Sequence, residues 1–175
     1  MSSSDSVYAI VYLISNLITS LLSIATMVLA IVGLWKIFTK AGEEGWKAII
    51  PYYNLYVLCK IVGGKFLRLI ISLVLFIMST GIMVMMSTIG IAMAAIYNST
   101  SGLIVAIIIT IICTLIMLAF LIWYCIEHAL ICGALSRSFG HGTGFAVGLF
   151  FMAPIFYMIL GFNQDKYIGP NGVNN

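Results

Sequence analysis

Cys125, His128 and Cys132 recur at intervals of three and four residues in one apolar run. At about 100° per residue they fall within about 60° of arc on a helix face. Thiolates and an imidazole are zinc donors, and Cys59 would complete a tetrahedral set. Such a set would make a metal-dependent enzyme of the membrane interface. The spacing matches no standard zinc signature, and apolar helices also pack cysteine as a small hydrophobe. The expectation is therefore no bound metal and no cofactor.

The other chemically loaded stretch is LSRSFGHGTGF, residues 135–145. Arg137 and His141 flank a glycine turn, and Thr143 is the expected N-cap of the next helix. A helix N-terminus beside a guanidinium is an anion site. The ligand it suits is a lipid phosphate or a phosphorylated small molecule, with Lys47 on the same membrane face. The bland alternative is a tight turn with a snorkelling arginine. Gly140, Gly144 and Gly148 recur every four residues, a smooth strip for close helix packing.

Three further patterns are weaker. Ser15, Thr19 and Ser23 share a face, with Asn16 and Ser20 beside them. They would line a polar path or bond neighbouring helices. Met78, Met85 and Met93 fall near one face, as soft copper ligands or as gap-fillers. Glu127 should face headgroups or a lysine. No span carries an ionisable group at its middle, as proton-coupled transport requires. No Walker A loop, dinucleotide fingerprint, HExxH helix or GxSxG elbow occurs. A non-enzymatic protein is expected.

The elements that must position these residues follow from composition. Of 175 residues, 63% are apolar and 7% charged. A soluble domain carries about 25% charged residues. That deficit excludes a soluble enzyme, a disordered chain and a nucleic-acid binder. Four runs reach the roughly 20 apolar residues of a membrane-spanning helix: 7–38, 66–97, 103–126 and 143–162. Pro154 should kink the fourth. The fold class is an all-α integral membrane protein, one transmembrane domain with four spans.

Lysine and arginine set the orientation. Lys36, Lys40, Lys47, Lys60, Lys65, Arg68 and Arg137 flank the connections after spans one and three, against Lys166 alone on the other side. The positive-inside rule then places both connections in the cytoplasm and both termini outside. The cysteines should stay reduced. Residues 98–100 match a glycosylation sequon on the outer side, and read as a plain polar turn. Residues 40–64 carry Trp46, Tyr52, Tyr53 and Tyr56 with Lys47 and Lys60. Short helices lying in the interface suit that mixture.

The stretch KAGEEGWKAIIPYYNLY, residues 40–56, resembles a motif of a family of small bacterial membrane proteins known only as a domain of unknown function. Residues 139–145, FGHGTGF, are similar to a second family motif, and the closing Gly161, Phe162, Lys166 and Tyr167 to a third. The resemblance implies a bacterial cell membrane and a multi-pass topology, and it implies no activity. Similar sequences sometimes carry a signal-peptidase label. That enzyme needs a Ser–Lys dyad in a large extracytoplasmic domain, for which this chain has no room.

The functional expectation is a component that binds anionic membrane lipids, or a partner membrane protein or second copy. The alternatives are an oligomeric small-solute channel or transporter and, behind it, the metal-dependent enzyme.

Overall fold

The computed structural model describes residues 3–96 and 100–173. Among them the regular structure is entirely helical: α1 Ser3–Lys40, α2 Tyr53–Val62, α3 Phe66–Ile96, α4 Thr100–Ser138, α5 Thr143–Phe151 and α6 Ala153–Phe162. A 3₁₀ turn, Gly45–Ala48, precedes α2. Tyr97, Asn98 and Ser99 lie outside the described residues, and with them most of the sequon. Thr100, Ser101 and Gly102, expected in a turn, open α4.

Three helices, α1, α3 and α4, are long and apolar enough to cross a membrane. The third was expected to end at Ile126, before the charge of Glu127. It runs on to Ser138. A charged residue ends a bilayer window, but it does not end a helix. The stop comes at Gly140, whose φ of 77° is the left-handed conformation that glycine adopts without strain. There Gly140 N–H donates to the Arg137 carbonyl and His141 N–H to the Ser136 carbonyl, both at 2.9 Å. This pair of bonds is a Schellman motif.

The chain divides into two compact units, Gly64–Ile131 and Met1–Gly63 with Cys132–Asn175. In the first, α3 and α4 pair antiparallel. Arg68 meets Glu127, Phe76 stacks near Tyr124 at 6.3 Å, Thr114 Oγ1 donates to the Met83 sulfur at 3.6 Å, and Gly90 lies against Ala106. Arg68 Nη2 donates to Glu127 Oε2 at 3.1 Å and Trp123 Nε1 to Oε1 at 3.4 Å. Glu127 thus meets an arginine where a lysine or headgroups were expected. A buried carboxylate requires such donors. Only 6% of the most apolar stretch of α4 is buried.

In the second unit the expected span 143–162 is not one helix. Met152 leaves helical geometry (φ −133°, ψ 47°), and Pro154 is the second residue of α6. Proline lacks an N–H, and its ring would strike the Phe150 carbonyl of a continuous helix. The two halves fold back on each other. Phe145 and Phe156 meet edge to face at 5.0 Å, the Phe156 ring covers Gly148, and His141 reaches Asp165. A straight helix of 20 residues would hold its ends about 30 Å apart.

The hairpin also corrects the placement of the C-terminal segment. It was expected at the Ser3 end of α1. Instead Lys40 Nζ donates to the carbonyls of Leu160 and Asn163, at 2.6 and 2.5 Å. Ile37, Phe38, Val57, Val62, Leu135, Leu149 and Leu160 form the core there. The anticipated glycine strip does not act as one surface. Gly148 packs inside the hairpin, while Gly144 has open space where a side chain would project.

The close helix crossing lies elsewhere, between α1 and α6. A Cβ on Gly33 would stand 2.6 Å from the Tyr157 carbonyl carbon, and one on Gly161 would stand 2.9 Å from the Gly33 oxygen. Gly33→Ala should therefore lower stability by about 1–3 kcal/mol through overpacking. Gly144→Ala should change it little. Thermal unfolding in detergent checks both, and equal melting temperatures for the two variants would contradict this crossing.

Candidate functional site

The polar groups of the second unit gather where α1, α2, α4 and α6 end. On the α1 side, Glu43 follows a left-handed Gly42, and its N–H donates to the Phe38 carbonyl at 2.9 Å. Its carboxylate accepts from Lys47 Nζ and Lys60 Nζ, each at 2.7 Å. Lys47 also lies 3.5 Å from Glu44, whose Oε2 accepts from Trp46 Nε1 at 3.0 Å. The hydrogen bonds from Lys47 and then Lys60 hold the Glu43 carboxyl below its ordinary 4.5. The same bonds to Glu43 raise both lysines above 10.5.

On the hairpin side, His141 Nε2 donates to Asp165 Oδ2 at 2.7 Å, and Asn163 Nδ2 donates to the same oxygen at 2.7 Å. The imidazole stacks on Phe145 with centroids 4.2 Å apart. Ser136 Oγ donates to the Gly142 carbonyl at 2.8 Å, fixing the turn from the α4 side. Thr143 was expected to cap α5. Gly142 holds the N-cap position instead, and no side chain caps it. Thr143 is the first helical residue and is exposed.

Arg137 is exposed, and its Nη2 donates to Asn171 Oδ1 at 3.1 Å. The segment after α6 brings Asn171 there. Tyr167 Oη donates to the Ile61 carbonyl at 2.6 Å, and Ile168 N–H to the Ser138 carbonyl at 2.8 Å. The Tyr167 ring meets Phe139 edge-on at 5.6 Å. Burial raises the Tyr167 hydroxyl above its ordinary 10.

Arg137, His141, Thr143 and Lys47 are thus at one end of one unit but do not share a partner. Sequence reasoning gave no role to Asp165, Asn171 and Tyr167, which sit at the foot of the hairpin, nor to Glu43 as the hub of two lysines. The spacing of four between Glu43 and Lys47 was the available signal.

The other candidates take quieter places. Thr19 and Ser23 donate to the carbonyls four residues back, Ser15 and Asn16 donate to the Tyr12 carbonyl, and all four are exposed. His128 stacks on Tyr124 at 6.0 Å. Cys59 is buried, which pushes its thiol up to about 11. Among the described residues no three His, Cys, Asp or Glu side chains gather as a metal site.

These features define a helical protein with three helices able to span a membrane and a polar cluster beside a folded-back helical hairpin. Residues 122–170 match the model of a family described as a family of unknown function (DUF5684). The matched stretch holds 139–145 and 161–167, and 40–56 lies outside it. No curated protein and no solved structure matches the chain.

The Glu43 hub makes stability pH-dependent. Its carboxyl sits lower in the folded chain than in the unfolded one. The contribution is present above the unfolded value and lost as pH falls through the folded value. Melting temperature should drop below about pH 4.5, and Glu43→Gln should flatten that drop. An undiminished drop in the variant would place the acid-sensitive group elsewhere.

Proposed function

We propose that this chain is a non-enzymatic multi-pass protein of the bacterial cell membrane whose basic, aromatic end binds anionic lipid. The observation that carries this reading is the exposed surface of that end. Trp46, Tyr52, Tyr53 and Tyr56 are exposed between α1 and α3, with Lys60 on the same segment, and Arg137 is exposed in the same unit. Aromatic rings favour headgroup depth, and lysine and arginine favour anionic phosphates.

In this reading α1, α3 and α4 cross the bilayer, and α5–α6 enters and returns. Each half of the hairpin is about 14–15 Å long, half of a hydrocarbon core of about 30 Å. Its tip carries exposed Phe151, Met152 and Ile155, suited to lipid. All eight lysines and arginines then fall on one side. The positive-inside rule makes that side cytoplasmic, with the N-terminus outside and the C-terminus inside.

Arg137 is the specific contact in this reading. Lys47 and Lys60 already share Glu43, whereas Arg137 bonds a neutral amide and has no carboxylate partner among the described residues. A guanidinium also grips a phosphate with two N–H groups at once.

A channel or transporter built from several copies is the second reading. The observation that favours it is the helix break at Met152. Non-helical backbone at membrane depth is tolerated where it is buried in protein or lines water.

Native mass spectrometry tests the lipid reading. Arg137→Gln should lose co-purified anionic lipid, and Lys47→Gln should lose little. Parental lipid content in Arg137→Gln would refute it. Solute flux into liposomes would support the channel instead. Topology has its own check. A thiol introduced at Ser3 should react with an impermeant reagent on intact cells, and one at Gln164 only after permeabilisation.

A further inference from the structure

We infer that the segment around Asn171 gates Arg137, so that a lipid phosphodiester and the Asn171 amide compete for one guanidinium. The inference rests on the lipid reading above and assigns that site its regulation.

The C-terminal segment is fastened in two parts of different character. Tyr167 and Ile168 are tied to the backbone of α2 and α4 through the Ile61 and Ser138 carbonyls. Past them, Pro170 lies over Gly63, and the chain turns sharply at Asn171 (φ 56°, ψ 16°) and Gly172 (φ 77°). This turn wraps Arg137. A Cβ on Gly172 would stand 2.6 Å from the Arg137 carbonyl oxygen, and Asn171 Oδ1 takes the guanidinium N–H at 3.1 Å. Asparagine tolerates the left-handed conformation better than most residues. The turn therefore sets an amide oxygen where an anion would bind.

The two acceptors are unequal. A bond from a guanidinium to an anionic oxygen is roughly twice as strong as a neutral one, and a phosphate offers two oxygens to the fork. Asn171 satisfies Arg137 when no lipid is present and yields when a phosphodiester arrives. Displacement frees the turn at 170–173, while Tyr167 and Ile168 stay fastened. The amide also sets a threshold: a headgroup must outcompete it.

The test titrates phosphatidylglycerol into phosphatidylcholine nanodiscs holding the full chain, with bound lipid counted by native mass spectrometry. Asn171→Gly keeps the turn and removes the competing amide, so half-saturation should fall about two- to fivefold. Asn171→Asp supplies a carboxylate that holds Arg137 more tightly, so half-saturation should rise by about the same factor. Both shifts should vanish when combined with Arg137→Gln. Both variants keep a residue that accepts the turn, and matched melting temperatures confirm the fold.

Parental affinity in both Asn171 variants, with weakened binding in Arg137→Gln, would overturn the gate and leave the lipid reading intact. Parental affinity in Arg137→Gln itself would remove the lipid reading and the gate with it. Inorganic phosphate that competed as well as phosphatidylglycerol would overturn the lipid assignment in favour of a soluble anion.

Discussion

Pro154 is the constraint on which the second unit depends. A run from 143 to 162 that is apolar throughout has every reason to continue as one helix, except that residue 154 cannot donate and cannot fit behind the Phe150 carbonyl. The helix stops at Phe151 and restarts at Ala153. Along a straight rod, 24 residues separate His141 from Asp165 by about 36 Å. In the hairpin their side chains are bonded at 2.7 Å. The break places the end of α6, and everything after it, back beside Lys40.

A ten-residue helix is too short to stay folded by itself. Two features hold α6. Glycines at 33 and 161 let its backbone touch that of α1, which maximises dispersion contact. Where helices meet in lipid, such contact replaces the hydrophobic drive available in water. The last carbonyls of α6 carry the negative end of its dipole, and the Lys40 ammonium takes those of Leu160 and Asn163. Packing and capping act on the same stretch of α1, seven residues apart, so neither is independent of the other.

Much of this was legible in the sequence. Apolar length placed α1 and α3 within a few residues of their observed ends, and α4 at its start. Hydropathy cannot, however, distinguish one long helix from two halves folded back on each other. A run of 20 apolar residues satisfies both, and Pro154 reads equally as a kink. The same blindness hid the site's partners. Arg137 and His141 carry conspicuous chemistry at a conspicuous turn. Asp165 and Asn171 stand 24 and 34 residues further on, and only the hairpin brings them back. Local pairs such as Glu43 with Lys47 are set by helical spacing and need no topology. The Ser15, Thr19 and Ser23 stripe was read for a polar neighbour, and its hydroxyls bond carbonyls of their own helix. A hydroxyl on a helix can bond its own preceding turn, so a polar stripe does not require a polar neighbour.

The charges at the hairpin foot follow from these placements. Lys47 and Lys60 are committed to Glu43, Lys40 to two carbonyls, and His141 to Asp165. Screening over about 8 Å at physiological salt blurs the compensated pairs for an approaching anion. Arg137 differs from Lys47 and Lys60 in that its bonded partner, the Asn171 amide, is neutral. Arg137 acquires that distinction from Asn171, since a carboxylate at 171 would have hidden its charge. Unequal acceptors around each cation thus distinguish one from another without an enclosed pocket.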